Sequence, residues 1–491
     1  MLPQPSELNK INALPDDLNI AGLTCDSRKV RPGFLFAALP GATADGRAFI
    51  TQAVQAGATT ILAPTGTNIT PGDVVRLIVD DNPRRRFAQM AAAYYGKQPK
   101  IMVAVTGTNG KTSTADFARQ IWTLLGKKAA SVGTLGIIAP GWDNTGGLTT
   151  PDPETLHANL AKLVELGIDH GCIEASSHGL SQYRLDGLNL KAAAFTNLTR
   201  DHLDYHGSME EYGQAKQRLF TEILSTDGVA VINADSDHSA EFIAAANSRN
   251  LKLLTYGQNG ADIRLEKSVP IAEGQELTLT VLGQHFTITL PLAGTFQAWN
   301  ALAALGLVIA TGTEPAAALQ QLEHLSGVPG RLQKVAQRVS GASIYVDYAH
   351  TPDALETVLK ALRPHVTGNG RLICLFGCGG DRDPGKRPQM GAIAARDAEV
   401  VYVTDDNPRS ENPDSIRRAI LCASPLAIEI GERGSAIRHA VSDLHAGDVL
   451  VIAGKGHERG QIVGATILPF DDAEEAQKAV VEMDSVQGVT L

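Results

Sequence analysis

Short apolar runs rich in β-branched residues recur along this 491-residue chain, and most give way within a few positions to glycine or polar residues and then to apolar positions at helical spacing. That alternation predicts parallel, doubly wound sheets. In the first hundred residues FLFAAL (34–39), TTILAP (59–64) and VVRLIV (74–79) read as strands, with RAFITQAVQAG as a helix closed by Gly57. DDNPRRRFAQMAAAYYG then places Asn82 as a cap, Pro83 at the first helical position and Gly96 at the helix end. KQPK reads as a linker.

After the linker, IMVAVTGTNGKT (101–112) joins a buried strand to a patterned helix through Gly107, Gly110, Lys111 and Thr112. The helix shows Phe117, Ile121, Leu124 and Leu125 on one face and ends at Gly126. GCIEA, AAAFTNL and GVAVINAD continue the parallel sheet, whereas 277–292 alternates and predicts an antiparallel addition. SGVPGRLQ (326–333) interrupts the pattern, and SIYVDYA, RLICLF, EVVYVTDD and DVLVIAG form a further strand set separated by helices. The fold class is therefore α/β with three domains, 1–97, 98–333 and 334–491: a small α/β unit, a central P-loop-type domain of mostly parallel sheet, and a Rossmann-like doubly wound domain. GCGGDRDPGKR carries no dinucleotide fingerprint.

Composition narrows the function. Net charge is −10, against a nucleic-acid partner, and 43% apolar with 20% charged residues is ordinary for a globular protein. No apolar run reaches the roughly 18 residues needed to span a bilayer. MLPQPSELNK lacks the basic region and apolar core of a signal peptide, so no membrane insertion and a cytoplasmic location are expected. Five scattered cysteines fit a reducing compartment, and Cys374 and Cys378 read as buried packing.

The glycine loop is the strongest chemical signal: its backbone N–H groups and the helix N-terminus suit phosphate, Lys111 can reach the β/γ-phosphates, and Thr112 can ligand Mg²⁺. The usual spacing wants glycine at 105, where this chain has Val105. Further candidates stand at strand ends, where ligands gather in such sheets. Thr149 and Thr150 offer hydroxyls for a substrate carboxylate, or a turn capping the helix near Pro153. Glu174 ends a buried strand, a costly place for a carboxylate unless a cation joins it. Ser176, Gln182 and Arg184 suit an acidic substrate, and His202 a second cation. Lys216, by default a solvated or ion-paired lysine, would ligand a cation only as a carbamate. Asn300 lies near the polar start of an apolar helix where adenine can rest; Asp347 and His350 suit a phosphate or its Mg²⁺; Arg331 can close onto ATP.

The tetrapeptide Asp-Asn-Pro-Arg occurs at 81–84 and again at 406–409. Capping alone explains the first. The second ends a strand before a separate helix start, so Arg409 and Arg382 can clamp a carboxylate while Asp406 and Glu458 take an ammonium, together suiting the zwitterionic end of an amino acid.

These residues resemble the Mur ligases, ATP-dependent amide-forming enzymes of peptidoglycan precursor synthesis. TGTNGKT at 106, TTPDP at 149, EASSHGL at 174, TNLTRDHLDYHG at 196, EEYGQAK at 210, GVPGR at 327, VDYAHTPD at 346 and GKGHE at 454 follow the family's order. DNPR at 406 with GDRDPGKRP at 380 is similar to members that add meso-2,6-diaminopimelate to UDP-N-acetylmuramoyl-L-Ala-D-Glu; members that add L-lysine differ at the DNPR arginine. The resemblance implies domains for UDP-sugar, ATP and amino acid in that order, with ATP and Mg²⁺ as cofactors and action as a monomer. By matching positions, Cys25, Ser27, Thr43 and Ala44 would lie at the uridine end, and Thr149, Thr150, Ser176, Gln182 and Arg184 at the muramoyl-peptide. Gly107, Thr108, Asn109, Gly110, Lys111, Thr112, Ser113, Asn300 and Arg331 would serve ATP; Thr112, Glu174, His202 and a carbamylated Lys216 the metal. Arg382, Asp406, Asn407, Pro408, Arg409, Gly454 and Glu458 would hold diaminopimelate, with Lys111, Lys216, His202 and Asp347 catalytic.

Two rivals come from other readings of the same loop. Folylpolyglutamate synthase shares the loop but not the separate first domain or the DNPR site. A P-loop ATPase or GTPase switch leaves the charged C-terminal pocket unexplained, and a guanine-reading N-K-x-D is absent from the sequence.

Overall fold

The computed structural model describes residues 14, 15, 18–41, 44–69, 75–142, 147–271 and 274–487. They form two compact units: Met1–Leu265 with Leu279–His285 and Trp299–Gln321, and Glu266–Thr278 with Phe286–Ala298 and Leu322–Leu491.

The first unit opens on four parallel strands in sequential order, β1 (Gly22–Thr24), β2 (Phe34–Ala37), β3 (Thr60–Pro64) and β4 (Arg76–Asp80). The helix expected from residue 47 starts as a 3-10 turn, Gly46–Phe49, and becomes α1 only over Ile50–Gln55. Close packing explains the tight start: a Cβ on Gly46 would stand 2.6 Å from Leu39 N. Helix α2 (Pro83–Tyr95) begins as the sequence dictates, with the Asn82 side chain accepting from Arg85 N, and ends at left-handed Gly96. Its Phe87, Met90 and Ala91 pack on Leu23, Leu35 and Leu62.

The central sheet contains β5 (Ile101–Thr106), β6 (Ala129–Gly133), β7 (Gly136–Ile138), β8 (His170–Glu174), β9 (Leu190–Phe195), β10 (Val229–Asn233), β11 (Lys252–Gly257) and β12 (Ile263–Ile271). Eight of its ten strands run in the order β12-β11-β10-β9-β5-β8-β6-β7, these eight parallel except for β6 against β7. Strand β5, flanked on both sides, is buried without alternation, as its unbroken apolar run requires. Helices α3 (Lys111–Leu124), α4 (Pro153–Glu165), α5 (Met209–Arg218) and α6 (Thr295–Ala310) follow, the last entering this unit at Trp299. On α3, Phe117 and Ile121 are buried as expected, but Leu124 is 45% exposed because burial ends at Trp122, two residues before the helix end.

Strand β12 runs on into residues of the second unit, and β13 (Gly274–Val281) and β14 (Gln284–Leu290), each divided between the units, meet at a two-residue turn that belongs to the first, Leu282 and Gly283, with φ of 48° and 82°. Positive φ at both positions makes this the hairpin expected from the alternation. The remainder of the second unit is a six-stranded sheet, β15 (Gln333–Gln337), β16 (Ser343–Asp347), β17 (Leu372–Phe376), β18 (Val400–Val403), β19 (Ile428–Glu429) and β20 (Val449–Ala453), ordered β15-β16-β20-β17-β18-β19. Only β15 is antiparallel to its neighbour. Along β17, Leu372, Cys374 and Phe376 face one core, with α7 (Pro352–Leu362), α8 (Lys386–Asp397) and α9 (Pro413–Leu421). Ile373 and Leu375 face the other, with α10 (Arg433–Ser442) and α11 (Asp472–Gln487). The two-residue period of the strand thus covers both faces with helices. A fully buried pair, Arg433 to Asp472 at 2.7 Å, ties α10 to α11. Cys374 and Cys378 are buried, as their apolar surroundings predict. A short hairpin, β21 (Gly460–Val463) with β22 (Thr466–Pro469), completes the unit.

No helix among the described residues is long and apolar enough to cross a membrane.

Candidate active site

Strand β5 runs through Thr106, so Val105, where a P-loop would carry glycine, is simply a buried strand residue and the turn is made by Gly107 and Gly110. Both positions exclude a side chain. A Cβ on Gly107 would stand 1.9 Å from Thr196 Oγ1, and one on Gly110, at φ 84°, would stand 2.3 Å from Asn300 Oδ1. The loop is pinned to the exit of β9: Thr108 N donates to Asn197 O, Asn109 N to Asn197 Oδ1, and Thr196 Oγ1 to Asn109 O. Lys111 curls back, its Nζ 2.9 Å from Gly107 O and 2.8 Å from Thr108 O. Thr112 and Ser113 open α3.

At the end of β8, Glu174 is 1% exposed. It accepts from Thr112 Oγ1 at 3.1 Å, Thr134 N at 2.8 Å and Thr134 Oγ1 at 3.2 Å. A buried carboxylate against a hydroxyl at the phosphate loop is a donor set that fits a hard divalent cation. Among the described residues no three His, Cys, Asp or Glu side chains gather at one point, so such a cation would complete its shell with other oxygens.

The two readings of residues 149–153 hold together. Asp152 caps α4, accepting from Thr155 N, while Thr149 Oγ1 lies 3.1 Å from Thr134 Oγ1 and Thr150 Oγ1 donates to Glu174 O. Ser176 Oγ is 2.9 Å from Thr150 Oγ1, and Arg184 Nη1 donates to Thr150 O while its other nitrogens hold Gln182 Oε1. Gln182 Nε2 in turn donates to Tyr205 Oη. Arg184 and Gln182 line a cavity of about 180 Å³ with Cys25, Phe87, Asp152 and Arg84. Capping is therefore not the whole account of the first DNPR: Asn82 caps α2, but Arg84 faces this cavity. Ser27 Oγ donates to Gln52, Ala44 is exposed, and Thr43 lies outside the described residues.

Lys216 is not solvated. It is 1% exposed, its Nζ donates to Gly107 O at 2.7 Å and sits 4.5 Å over the Tyr212 ring. Burial, and after it the charge of Lys111, holds its ammonium well below the usual lysine range. Tyr212, whose Oη lies 3.1 Å from Thr108 Oγ1, is a site residue the sequence reading passed over, although it stands inside EEYGQAK. His202 has φ 52° and its ring lies 4.8 Å from His178; it is half-exposed and 3.4 Å from Asp201.

In the second unit, Asp347 ends β16 and accepts from Leu332 N and Ala349 N. Burial pushes its carboxyl up to about 6 against the opposing pull of Arg331 and those N–H groups. Arg331 lies over the Tyr348 ring at 4.9 Å. In the second DNPR, Asp406 Oδ1 accepts from Asn407 N, but its buried Oδ2 has no partner. A Cβ on left-handed Gly454 would stand 2.7 Å from that oxygen. Pro408 is buried beside Asn407. Arg409, at φ 52°, is held by the β21 hairpin: its N donates to Ile462 O, its carbonyl accepts from Gly464 N, and its Nη1 donates to Gly380 O. Arg382 is exposed on the neighbouring loop. Glu458 Oε2 is engaged, accepting from Lys455 Nζ at 3.2 Å and Asn407 Nδ2 at 2.9 Å, whereas Asp406 Oδ2 has no partner. Lys455, fully buried, also holds Asn407 Oδ1 and Gly460 O. Its place in GKGHE was the available signal.

Three family descriptions match in order: "Mur ligase family, catalytic domain" over residues 19–100, "Mur ligase middle domain" over 105–308, and "Mur ligase, glutamate ligase domain" over 330–456. The chain belongs to the Mur ligase family. Among Mur ligases it is 53% identical over 472 residues to the UDP-N-acetylmuramoyl-L-alanyl-D-glutamate--2,6-diaminopimelate ligase of Caulobacter vibrioides, covering 95% of this chain and 96% of that one. The protein of the same name from Mesorhizobium japonicum is also 53% identical, over 466 residues, with 95% and 96% covered. A solved structure bearing that name is similar with a TM-score of 0.73 at 34% identity, covering 96% of this chain and 98% of the other. Membership of this Mur ligase family makes the protein an ATP-dependent amide-forming ligase.

Proposed function

We propose that this Mur ligase joins meso-2,6-diaminopimelate to the side-chain carboxylate of D-Glu in UDP-N-acetylmuramoyl-L-Ala-D-Glu, through an acyl phosphate, as a cytoplasmic monomer. Residues 1–97 hold the UDP end, 98–333 ATP and 334–491 the amino acid. The observation that carries the amino-acid choice is the unpartnered, buried Asp406 Oδ2 in the loop that also fixes Arg409. An ammonium fits the first and a carboxylate the second, and diaminopimelate has both at its distal end.

The chain's own groups suggest the course of reaction. Thr149, Thr150, Ser176, Gln182 and Arg184 orient the muramoyl-peptide so that the D-Glu carboxylate meets the γ-phosphate of ATP. Gly107 to Ser113 cradle the phosphates, and Lys111 neutralises charge as the γ-phosphoryl group bonds to the carboxylate oxygen and ADP leaves. Thr112, Glu174, His202 and a carbamate on Lys216 would hold Mg²⁺, which would supply Lewis-acid stabilisation of phosphate charge. Asn300 and Arg331 complete the nucleotide contacts. Asp347, proton-bearing below about pH 6 and charged above, orients the Leu332 and Ala349 backbone beside Arg331. The uncharged amine of diaminopimelate then attacks the acyl carbon and phosphate leaves.

The test is phosphate release with ATP, Mg²⁺ and UDP-N-acetylmuramoyl-L-Ala-D-Glu, comparing meso-diaminopimelate with L-lysine and reading product mass in parallel. Turnover with diaminopimelate alone supports the proposal. Turnover with lysine alone keeps the ligase and overturns the pocket reading, and silence with both in a folded, ATP-binding protein overturns the substrate reading in favour of a folate-type ligase.

A further inference from the structure

Of the consecutive arginines that open α2, Arg85 pairs with Asp186 at 3.1 Å, whereas Arg84 forms no ion pair among the described residues. The Arg84 guanidinium donates to the Pro40 carbonyl and otherwise faces the 180 Å³ cavity, on whose wall Arg184 also stands. The one acid of that wall, Asp152, has already committed its oxygens to Thr155 N at 3.0 Å and Thr155 Oγ1 at 2.7 Å. The first turns of α2 and α4, each a helix of 13 residues, contribute to the same wall. Two guanidinium groups and the N-terminus of α2, whose cap Asn82 is uncharged, favour an anion, while Asp152 and Glu154 offset the N-terminus of α4. Burial lowers the Arg184 guanidinium from its usual value; Asp152 opposes that, and Arg84 adds to it, which places the two arginines within electrostatic reach.

We propose that Arg84 binds the diphosphate of the UDP-sugar, between the uridine end at Cys25 and the peptide end at Gln182 and Arg184. The assignment rests on the reading above that this cavity receives that substrate. The guanidinium fork pairs two phosphoryl oxygens at once, which a point charge does not. Arg84 is then a substrate-binding residue, and the first DNPR reads an anion as the second does.

A structural alternative exists: Arg84 only tethers the loop that starts at Pro40, and its loss would then disturb the uridine contacts as much as the phosphates. Ligand-observed NMR titration of the full-length chain with uridine and with UDP separates the two. For Arg84→Ala, affinity for UDP is expected to fall about tenfold to a hundredfold and that for uridine less than about threefold. Arg84→Gln, which keeps a donor for Pro40 without the charge, is expected to behave like Arg84→Ala and is read in its place should that variant not fold. The salt dependence of UDP binding is expected to be steeper for the wild type than for either variant. Equal losses for uridine and UDP overturn the proposal in favour of the tether. Unchanged UDP affinity in both variants, with a wild type that prefers UDP to uridine, overturns it while leaving the substrate reading intact. A folded wild type that binds no UDP overturns the substrate reading, and this assignment with it.

Discussion

Lys111 and Lys216 donate to the same carbonyl oxygen, Gly107 O, at 2.9 and 2.7 Å. Two full ammonium charges on one acceptor repel, and Lys216 is the buried partner whose pKa gives way. A lowered value raises the neutral fraction of the amine, and the neutral amine is the form that is nucleophilic toward CO₂. The carbamate reading of Lys216 thus acquires a cause beyond its place in EEYGQAK.

Lys216→Ala should lower ligation by at least about a hundredfold, roughly 3 kcal/mol of transition-state stabilisation, with a small added carboxylic acid restoring part of it. Initial rates with and without the acid check this. Full activity in the unsupplemented variant would sink the carbamate proposal.

Gly107→Ala tests the loop. The added methyl meets Thr196 Oγ1 at 1.9 Å, and Thr196 is the residue that pins Asn109 O, so the loop must unseat to admit it. The expected outcome is loss of ADP affinity by more than about tenfold, at a local cost on the order of 1–3 kcal/mol, with the circular dichroism spectrum unchanged. Fluorescent-nucleotide titration measures it, and wild-type affinity would show that the loop adapts.

Much of this arrangement was legible because the informative residues are local. Strand, glycine turn and helix follow one another at 101–124, Asn82, Asp152 and Asn412 announce their helices, and Leu282 to Gly283 marks a hairpin by alternation on either side. What the sequence could not place depends on distant partners. Nothing in residues 210–216 says that Lys216 will meet Gly107, or that Lys455 will pair with Glu458 and leave Asp406 Oδ2 without a partner. The first DNPR misled for the same reason: capping is a short-range property, while the cavity in front of Arg84 is built by α4 and the loop at Gln182.

Asp347 gives a pH signature. Its folded pKa of about 6 lies above the ordinary value of 3.8, so between those pH values the folded state binds the extra proton. Stability from this group therefore falls as pH rises from 3.8 toward 6 and stays lower above, by an amount on the order of 2–3 kcal/mol. Asp347→Asn cannot titrate. The stability difference between wild type and variant should shift against the wild type across that window, whatever constant offset the amide adds. Denaturation at pH 4 and pH 7 measures it, and a difference that does not change with pH rejects the buried, proton-bearing carboxyl.

The proposed amino-acid pocket offers three residues to test, two acting directly on the ligand and one through the loop. Arg409→Met removes the guanidinium that donates to Gly380 O and should raise KM for diaminopimelate about tenfold to a hundredfold with KM for ATP unchanged. Asp406→Asn removes the unpartnered carboxylate oxygen and should weaken the amino acid to a similar degree through its ammonium instead, so lysine used as an inhibitor should lose affinity here but not in the Arg409 variant. Lys455→Met should act indirectly: Glu458, 3.2 Å from Lys455 Nζ, regains an uncompensated charge and Asn407 loses its anchor, which misplaces the DNPR loop as a whole. Glu458 is partly exposed, so water offsets much of the lost pairing, but this variant should still lose some thermal stability as well as affinity, and Lys455→Met with Glu458→Gln should recover the stability. Recovery of stability without recovery of diaminopimelate binding would assign Lys455 to positioning Asn407; recovery of both would show that its role is to cancel the Glu458 charge.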